Sequence, residues 1–147
     1  QKILQKPLLY LSAYFEKNKG LYYDNLTFVR SKGDMTQWLK YFLAGIAETA
    51  ENATQTLSDI LELKANLEST LHQNYGKRAA HATLLLQHLF KKPIISVNQA
   101  QTLLGVSYKS ANDLVRAFVL NNILKEMTGR SRNRVFVFDE YLKMFRL

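Results

Sequence analysis

Apolar residues along this chain recur mainly at intervals of three and four, which is the spacing of helices that bury one face. Two short helices are predicted first. One begins near Pro7 and ends at Gly20, and the other covers residues 21–32 and ends at Gly33. Asp34 is a favourable N-cap residue for a third helix.

The third predicted helix is long, because no proline interrupts the chain between Asp34 and Gly76. Its seam positions alternate in steps of four and three, the 3.5-residue repeat of a helix packed along one line. They are Leu39, Leu43, Ile46, Ala50, Ala53, Leu57, Ile60, Lys64, Leu67 and Leu71. Such a stripe needs a cover, which the preceding helices, a following helix or a second chain could provide, although Lys64 interrupts it.

The second half of the chain has the pattern of two short helices joined by a tight turn. A connecting helix is predicted first, over residues 77–90. Ser96 then caps a helix that ends at Gly105, which favours a left-handed C-cap. Ser107 caps the next helix. Helix, glycine-containing turn and helix together predict a helix-turn-helix.

A β-hairpin is predicted after this pair of helices. Residues 123–127 and 134–138 read as strands on either side of a turn, and Asp139 is expected to cap a final helix over residues 141–145. A helix-turn-helix followed by a hairpin is the order of elements in a winged helix.

The predicted fold class is therefore mainly α. It comprises a helical segment with one long helix at 1–75, a connecting helix at 76–93, and a winged helix-turn-helix with a small β-hairpin at 94–147.

Positive charge is concentrated in the second half of the chain. The sequence has 20 basic and 12 acidic side chains and a net charge of +8. Residues 1–75 hold eight of each, so residues 76–147 carry the whole excess. A strongly basic module next to a neutral one favours a polyanionic partner.

In the winged-helix geometry the second helix enters the major groove of DNA, and the hairpin tip contacts phosphates or the minor groove. The predicted DNA-contacting residues are Ser107, Tyr108, Lys109, Ser110, Asn112 and Arg116 on the helix and Arg130, Arg132 and Arg134 on the hairpin. Asp113 on the same helix disfavours phosphate. Winged helices also dock proteins, so a protein partner stays open beside DNA, as does a homodimer through the long helix.

Five stretches of the chain carry a resemblance to a known family. Residues 8–15 read LLYLSAYF, residues 22–26 read YYDNL, and residues 33–46 read GDMTQWLKYFLAGI. Residues 104–112 read LGVSYKSAN, and residues 128–137 read TGRSRNRVFV. In this order and spacing they resemble the part of Fic (Fido-domain) proteins that follows the catalytic loop, together with the C-terminal winged helix of many bacterial members.

The resemblance implies an intact parent that transfers AMP from ATP, with Mg, to hydroxyl groups of a protein substrate. In that family the chemistry belongs to an HPFx(D/E)GNGR loop, and this sequence contains no equivalent. The chain is therefore expected to be a truncated piece with no catalytic residue and no cofactor of its own. Some members of the family place aromatic residues of this region near the adenine, so Tyr10, Tyr14 and Tyr23 are candidate nucleotide contacts in the parent, with a role in the core as the alternative. The parent would have a protein substrate or regulator as partner.

The remaining residues offer little further chemistry. There is no cysteine, and His72, His81 and His88 lack the additional ligands that a zinc site needs, so no metal site is predicted. No apolar run is long enough for a transmembrane helix, and no signal peptide is recognised, so no membrane partner and a cytoplasmic location are expected. The chain starts at Gln1, which is consistent with a fragment.

Overall fold

A computed structural model describes residues 11–130 and 132–145, and in this part the chain is mainly helical with a small antiparallel sheet. The helices are α1 (Leu11–Lys17), α2 (Lys19–Lys32), α3 (Thr36–Asn74), α4 (Ala79–Leu89), α5 (Val97–Leu104), α6 (Tyr108–Leu120) and α7 (Asp139–Lys143), with a 3₁₀ turn at Gly76–Arg78. The strands are β1 (Ile94–Ser96), β2 (Lys125–Glu126) and β3 (Val135–Val137). The predicted start of the first helix at Pro7 lies outside the described residues.

The chain divides into two compact units within α3. The first unit ends at Ser58 and the second begins at Asp59. The last turns of α3 therefore belong to the second unit, where Leu63 and Leu71 are buried in its core. The division predicted at residue 75 from the sequence stays a prediction.

The first unit is organised around a cluster of aromatic rings contributed by α1, α2 and α3. Neighbouring ring centroids lie 5.2 to 6.4 Å apart, in tilted, stacked and edge-to-face arrangements that suit aromatic pairs. The cluster comprises Tyr14, Phe15, Tyr22, Trp38, Tyr41 and Phe42. Gly45 is buried beside it, because the Tyr14 ring lies directly over its backbone.

The predicted end of the first helix at Gly20 is wrong. Helix α1 ends at Lys17 and α2 begins at Lys19, so Gly20 lies in the first turn of α2. The break occurs at Asn18, where the side-chain amide donates to the Tyr14 carbonyl at 3.0 Å in addition to the ordinary helical bond from the Asn18 backbone N–H. A glycine is tolerated in a first helical turn, and an asparagine that bonds to its own backbone favours a break.

Helix α3 confirms the predicted long helix. Asp34 accepts a hydrogen bond from the Thr36 amide at 2.8 Å, so its carboxylate contacts the helix start as expected. Hydrogen bonding to the Thr36 side chain is the main reason that the pKa of Asp34 is lowered, with the Thr36 amide and the charge of Lys40 adding to it.

The predicted seam along α3 is only partly buried. Leu71 is fully buried, whereas Leu39, Leu43 and Leu57 are at least half exposed. Near the C-terminal end Leu63 is buried in place of its seam neighbour Lys64, which is half-buried. A straight α-helix drifts by about 20° per heptad relative to a 3.5-residue repeat, so one face cannot hold every seam position over 39 residues.

The core of the second unit joins the end of α3, α4, α5, α6 and the sheet. Its largest fully buried side chains include Phe118 from α6, Phe136 from β3 and Phe138. Leu85 and Leu89 from α4 and Ile95 from β1 are also fully buried. Each buried side chain of this size contributes about 1.5–3 kcal/mol of hydrophobic stabilisation, so these six residues fix the positions of α6 and the hairpin.

The strand order of the sheet is β1-β3-β2, with both pairs antiparallel. The predicted hairpin is confirmed, although its strands are shorter than expected. Strand β1 has no counterpart in the sequence prediction. Ile95 pairs with Phe136 and Ser96 pairs with Val135, which places β1 on the side of β3 opposite β2.

The local signals around α5 and α6 are confirmed. Ser96 and Gln99 form a full capping box, with the Ser96 amide donating to Gln99 Oε1 at 2.8 Å. Gly105 adopts the left-handed conformation at the end of α5, with φ +63°.

Asp139 does not cap α7 as predicted, because it lies inside the first turn of that helix. Its carboxylate accepts from Lys143 at 2.8 Å, a spacing of four residues.

Tyr75 connects the end of α3 to α6, and its removal tests this connection. Its hydroxyl accepts from Asn121 Nδ2 at 2.8 Å, its ring meets Phe118 edge-to-face, and burial raises its pKa above 10.0. Tyr75→Phe is expected to lower the free energy of unfolding by about 1 kcal/mol at pH 7.

The raised pKa of Tyr75 makes the stability of the protein depend on pH. The stabilisation by the neutral Tyr75 hydroxyl is fully present below the ordinary pKa of 10.0, and it is lost as the pH rises through the higher pKa of the folded protein. Above that pKa the Tyr75→Phe variant therefore loses less stability than the parent. Urea unfolding at pH 7 and between about pH 9 and 11 measures both effects. Tyr141→Phe, which removes a hydroxyl that donates to the Phe90 carbonyl at 3.2 Å, is the control. An equal pH response in both variants would contradict the assignment to Tyr75.

Candidate nucleic-acid interface

Helix α6 presents a polar face opposite its buried side. Ala111, Leu114, Val115 and Phe118 are buried, so the remaining turns face outward. The exposed residues on that side are Tyr108, Lys109, Ser110 and Arg116, and Asn112 is half-buried. Asn112 shares a face with Tyr108, Lys109 and Arg116, because residues three and four apart are neighbours on a helix.

Ser107 immediately precedes α6 and is its N-cap residue. Its Oγ accepts from the Ser110 amide at 3.2 Å and lies 3.0 Å from the Ser110 hydroxyl. The two hydroxyl groups are therefore engaged with one another, although both residues are exposed. Of these predicted DNA-contacting residues, Tyr108, Lys109 and Arg116 have the most freely presented side chains.

The loop between β2 and β3 presents two exposed cations, Arg130 and Arg132. Gly129 and Asn133 in this loop adopt positive φ values of 60° and 52°. Glycine and asparagine are the residues that reach this region at least cost, so the backbone at these two positions follows from the sequence.

Glu126 and Thr128 fix the first side of this loop. The Thr128 hydroxyl donates to Glu126 Oε1 at 2.6 Å. This bond is the main reason that the pKa of Glu126 is lowered, with the backbone of Gly129 and Thr128 and the charge of Arg134 adding to it. The carboxylate therefore stays ionised and is held by Thr128, and it is the acidic group closest in sequence to Arg130 and Arg132.

Arg134 joins the loop to α6. Its Nη2 donates to Asn112 Oδ1 at 2.7 Å, and its guanidinium carbon lies 5.4 Å from the centroid of the Phe136 ring. This contact brings together two predicted DNA-contacting residues that are 22 positions apart. It also places the end of the loop beside the face of α6 that carries Lys109 and Arg116. The pairing has no signal in the sequence, because neither residue belongs to a local pattern that includes the other.

Tyr14 and Tyr23, which the family resemblance places near a nucleotide, lie in the first unit. The Tyr14 ring packs 5.4 Å from Tyr41 and covers Gly45, so it is part of the aromatic cluster. Tyr23 is 56% exposed, with its ring 5.3 Å from Tyr22. Tyr10 lies outside the described residues.

Sequence reasoning missed a second pair of cations beside α6. Lys77 and Arg78 line a cavity together with His81 and Ser110. Their separation from Ser110 in the sequence hides this proximity, and only the packing of α4 against the following helices produces it.

Within residues 11–130 and 132–145, no group of three or more histidine, cysteine, aspartate or glutamate side chains is placed to hold a metal ion. In the same ranges, no helix has both the length and the apolar character needed to cross a membrane. No protein-family model matches this chain.

Proposed function

We propose that this chain binds duplex DNA through α6 and the β2–β3 loop, in the manner of a winged helix. The observation that carries the proposal is the Arg134–Asn112 hydrogen bond of 2.7 Å, because it holds the loop against the exposed face of α6. A helix and a loop held side by side can contact a groove and the adjoining backbone at the same time.

The order of elements supports this proposal. A short strand, two helices joined at Gly105, and a two-stranded hairpin follow one another along the chain. In proteins of that arrangement the second helix enters the major groove with its N-terminal residues at the base edges. Tyr108 and Lys109 hold that position in α6, and Asn112 lies one turn further along.

The charges of this surface also support it. Lys109, Arg116, Arg130 and Arg132 are exposed cations, whereas the Glu126 carboxylate is engaged by Thr128. Asp113 on α6 is half-buried and is the principal opposing charge on the helix. Arg134 is held by Asn112 and Phe136, so its role in this proposal is to position the loop.

A salt titration of duplex DNA binding tests the proposal. Four exposed cations on phosphates predict a slope of log K against log salt of roughly −3.6. The measurement is fluorescence anisotropy of a labelled duplex of mixed sequence over about 50–200 mM salt. No binding at the lowest salt concentration would reject DNA as the partner and leave protein docking as the function of this module.

We also propose, from the motif resemblance, that the chain is the C-terminal part of a Fic-family protein. The motifs at 8–15, 22–26 and 33–46 carry this proposal, and the catalytic loop of that family is absent from the sequence. AMP transfer, ATP and Mg therefore belong to the intact parent. Incubating this chain with labelled ATP, Mg and candidate proteins is expected to give no label transfer, and transfer by this chain would contradict the proposed division of roles.

A homodimer through α3 is the second candidate function. Leu39, Leu43 and Leu57 are predicted seam residues, and each is 50–61% exposed. Exposed leucines at seam spacing are typical of a helix that packs against another chain. Sedimentation equilibrium is expected to show a concentration-dependent dimer that L43E/L57E abolishes, whereas the outward-facing control E51Q/N52D leaves it unchanged. A dimer with a micromolar Kd has a free energy of association of about 8 kcal/mol and would be the main species at about 100 μM protein. A monomer at that concentration would therefore reject this candidate.

A further inference from the structure

A cavity of about 250 Å³ opens in the second unit, where the 3₁₀ turn and α4 pass the start of α6. Its polar lining is basic: Lys77 and Arg78 come from the 3₁₀ turn and His81 from the first turn of α4. Its apolar lining consists of Leu104, Val106 and Leu114. None of the residues that line this cavity is acidic.

The start of α6 completes the lining. Ser110 faces the cavity from the first turn of this 13-residue helix. Its amide N–H already donates to Ser107 Oγ, so the positive charge at this cavity comes from Lys77 and Arg78. The space beside them is large enough for a tetrahedral oxyanion with bound water. An uncharged ligand would leave Lys77 and Arg78 without a countercharge in the cavity lining, so the chemistry favours phosphate.

We infer that this cavity receives a backbone phosphate of the DNA duplex, next to the groove that α6 contacts. The inference rests on the proposed DNA binding, because Ser110 belongs both to the cavity and to the candidate interface. It adds Lys77 and Arg78 to the phosphate-binding cations. The interface then extends from the β2–β3 loop across the start of α6 to α4.

The number of phosphates bound distinguishes this extended interface from the smaller one. Six exposed cations predict a salt slope of roughly −5.4, against roughly −3.6 for the four cations of α6 and the loop. K77Q/R78Q is expected to reduce the magnitude of the slope by about 1.8. The matched control is K91Q/K92Q, which removes the same charge from two exposed lysines just beyond the end of α4 and should leave the slope unchanged.

Cross-linking locates the phosphate directly. The chain has no cysteine, so His81→Cys introduces its only thiol, at an exposed position of the cavity. A duplex that carries a mixed disulfide tethered to a backbone phosphate is expected to undergo thiol–disulfide exchange with H81C, releasing its small leaving thiol, at least tenfold faster than with K91C. Circular dichroism of each variant checks that it is folded.

The outcomes separate this inference from the proposal on which it rests. Two results would overturn the cavity assignment and leave DNA binding intact. One is a salt slope near −3.6 that K77Q/R78Q does not change. The other is equal cross-linking of H81C and K91C. No DNA binding would overturn both. A free phosphate ion is the other source of the same chemistry. If millimolar inorganic phosphate shifts the His81 ring resonances and duplex DNA does not, the assignment to the DNA backbone is overturned.

Discussion

R130E/R132E is expected to weaken duplex DNA binding by roughly 100-fold near 150 mM salt. Both side chains are exposed on the β2–β3 loop, and Arg134 holds the end of that loop beside α6. Each reversal removes a phosphate contact and adds repulsion from the DNA backbone. The neutral variant R130Q/R132Q is expected to reduce the magnitude of the salt slope by about 1.8.

K91E/K92E is the matched control for this prediction. It lowers the net charge from +8 by the same four units, and it changes two exposed lysines outside the candidate interface. General electrostatic attraction to DNA depends on the net charge of the protein, so any loss of DNA affinity in the control measures this general attraction alone. Equal losses of affinity in the two variants would contradict a specific role of the loop. Thermal unfolding of both variants should match that of the parent, because the changed residues are exposed.

Arg134→Lys separates positioning from charge at the same loop. Lysine keeps the positive charge, but it lacks the planar guanidinium that bonds Asn112 and lies on Phe136. DNA affinity is expected to fall by at least about tenfold with an unchanged salt slope, since a hydrogen bond from a charged group contributes about 1.5–3 kcal/mol. A reduced slope would mean that Arg134 binds phosphate itself.

The elements that sequence reasoning predicted well depend on residues close together in the chain. The Ser96 cap, the left-handed Gly105 and the Ser107 cap each involve residues within four positions, so their signals are local. Strand β1 has only three residues, and its partner β3 lies about 40 positions away, so no local pattern reveals it. The Arg134–Asn112 bond and the cavity beside Ser110 are hidden for the same reason.

Two local predictions failed at helix boundaries. Glycine at position 20 suggested a helix end, but the break lies two residues earlier, at Asn18, whose side-chain amide donates to the Tyr14 carbonyl. Asp139 has the side chain of a cap residue, yet Lys143 lies four positions ahead and pairs with it inside the helix. The candidate DNA contacts show a related pattern: exposure of Lys109 and Arg116 follows from helix periodicity, whereas the engagement of Asn112 depends on the fold.

Gly45→Ala is expected to lower the free energy of unfolding of the first unit by up to about 2 kcal/mol, because overpacking costs about 1–3 kcal/mol and the helix propensity of alanine offsets up to about 1 kcal/mol of that cost. An added Cβ would lie 2.6 Å from the Cδ1 and Cε1 atoms of the Tyr14 ring, and 3.3 Å from Leu11. The ring has little room to retreat, because Tyr41 and Phe15 pack against it at centroid distances of 5.4 and 6.1 Å. The substitution therefore separates α1 from α3.

Gly20→Ala is the matched control for the overpacking prediction, because it adds the same methyl group where no atom lies within 4 Å. It sits in the first turn of α2, where alanine is the better helix former, so stability should rise by up to about 1 kcal/mol. Urea unfolding monitored by the fluorescence of Trp38, the only tryptophan, reports on the first unit. Gly45→Ala alone should also change the emission of the native state, because Trp38 belongs to the cluster that Tyr14 helps to form. Equal stabilisation by both alanines would show that the Tyr14 ring does not rest on Gly45 in solution.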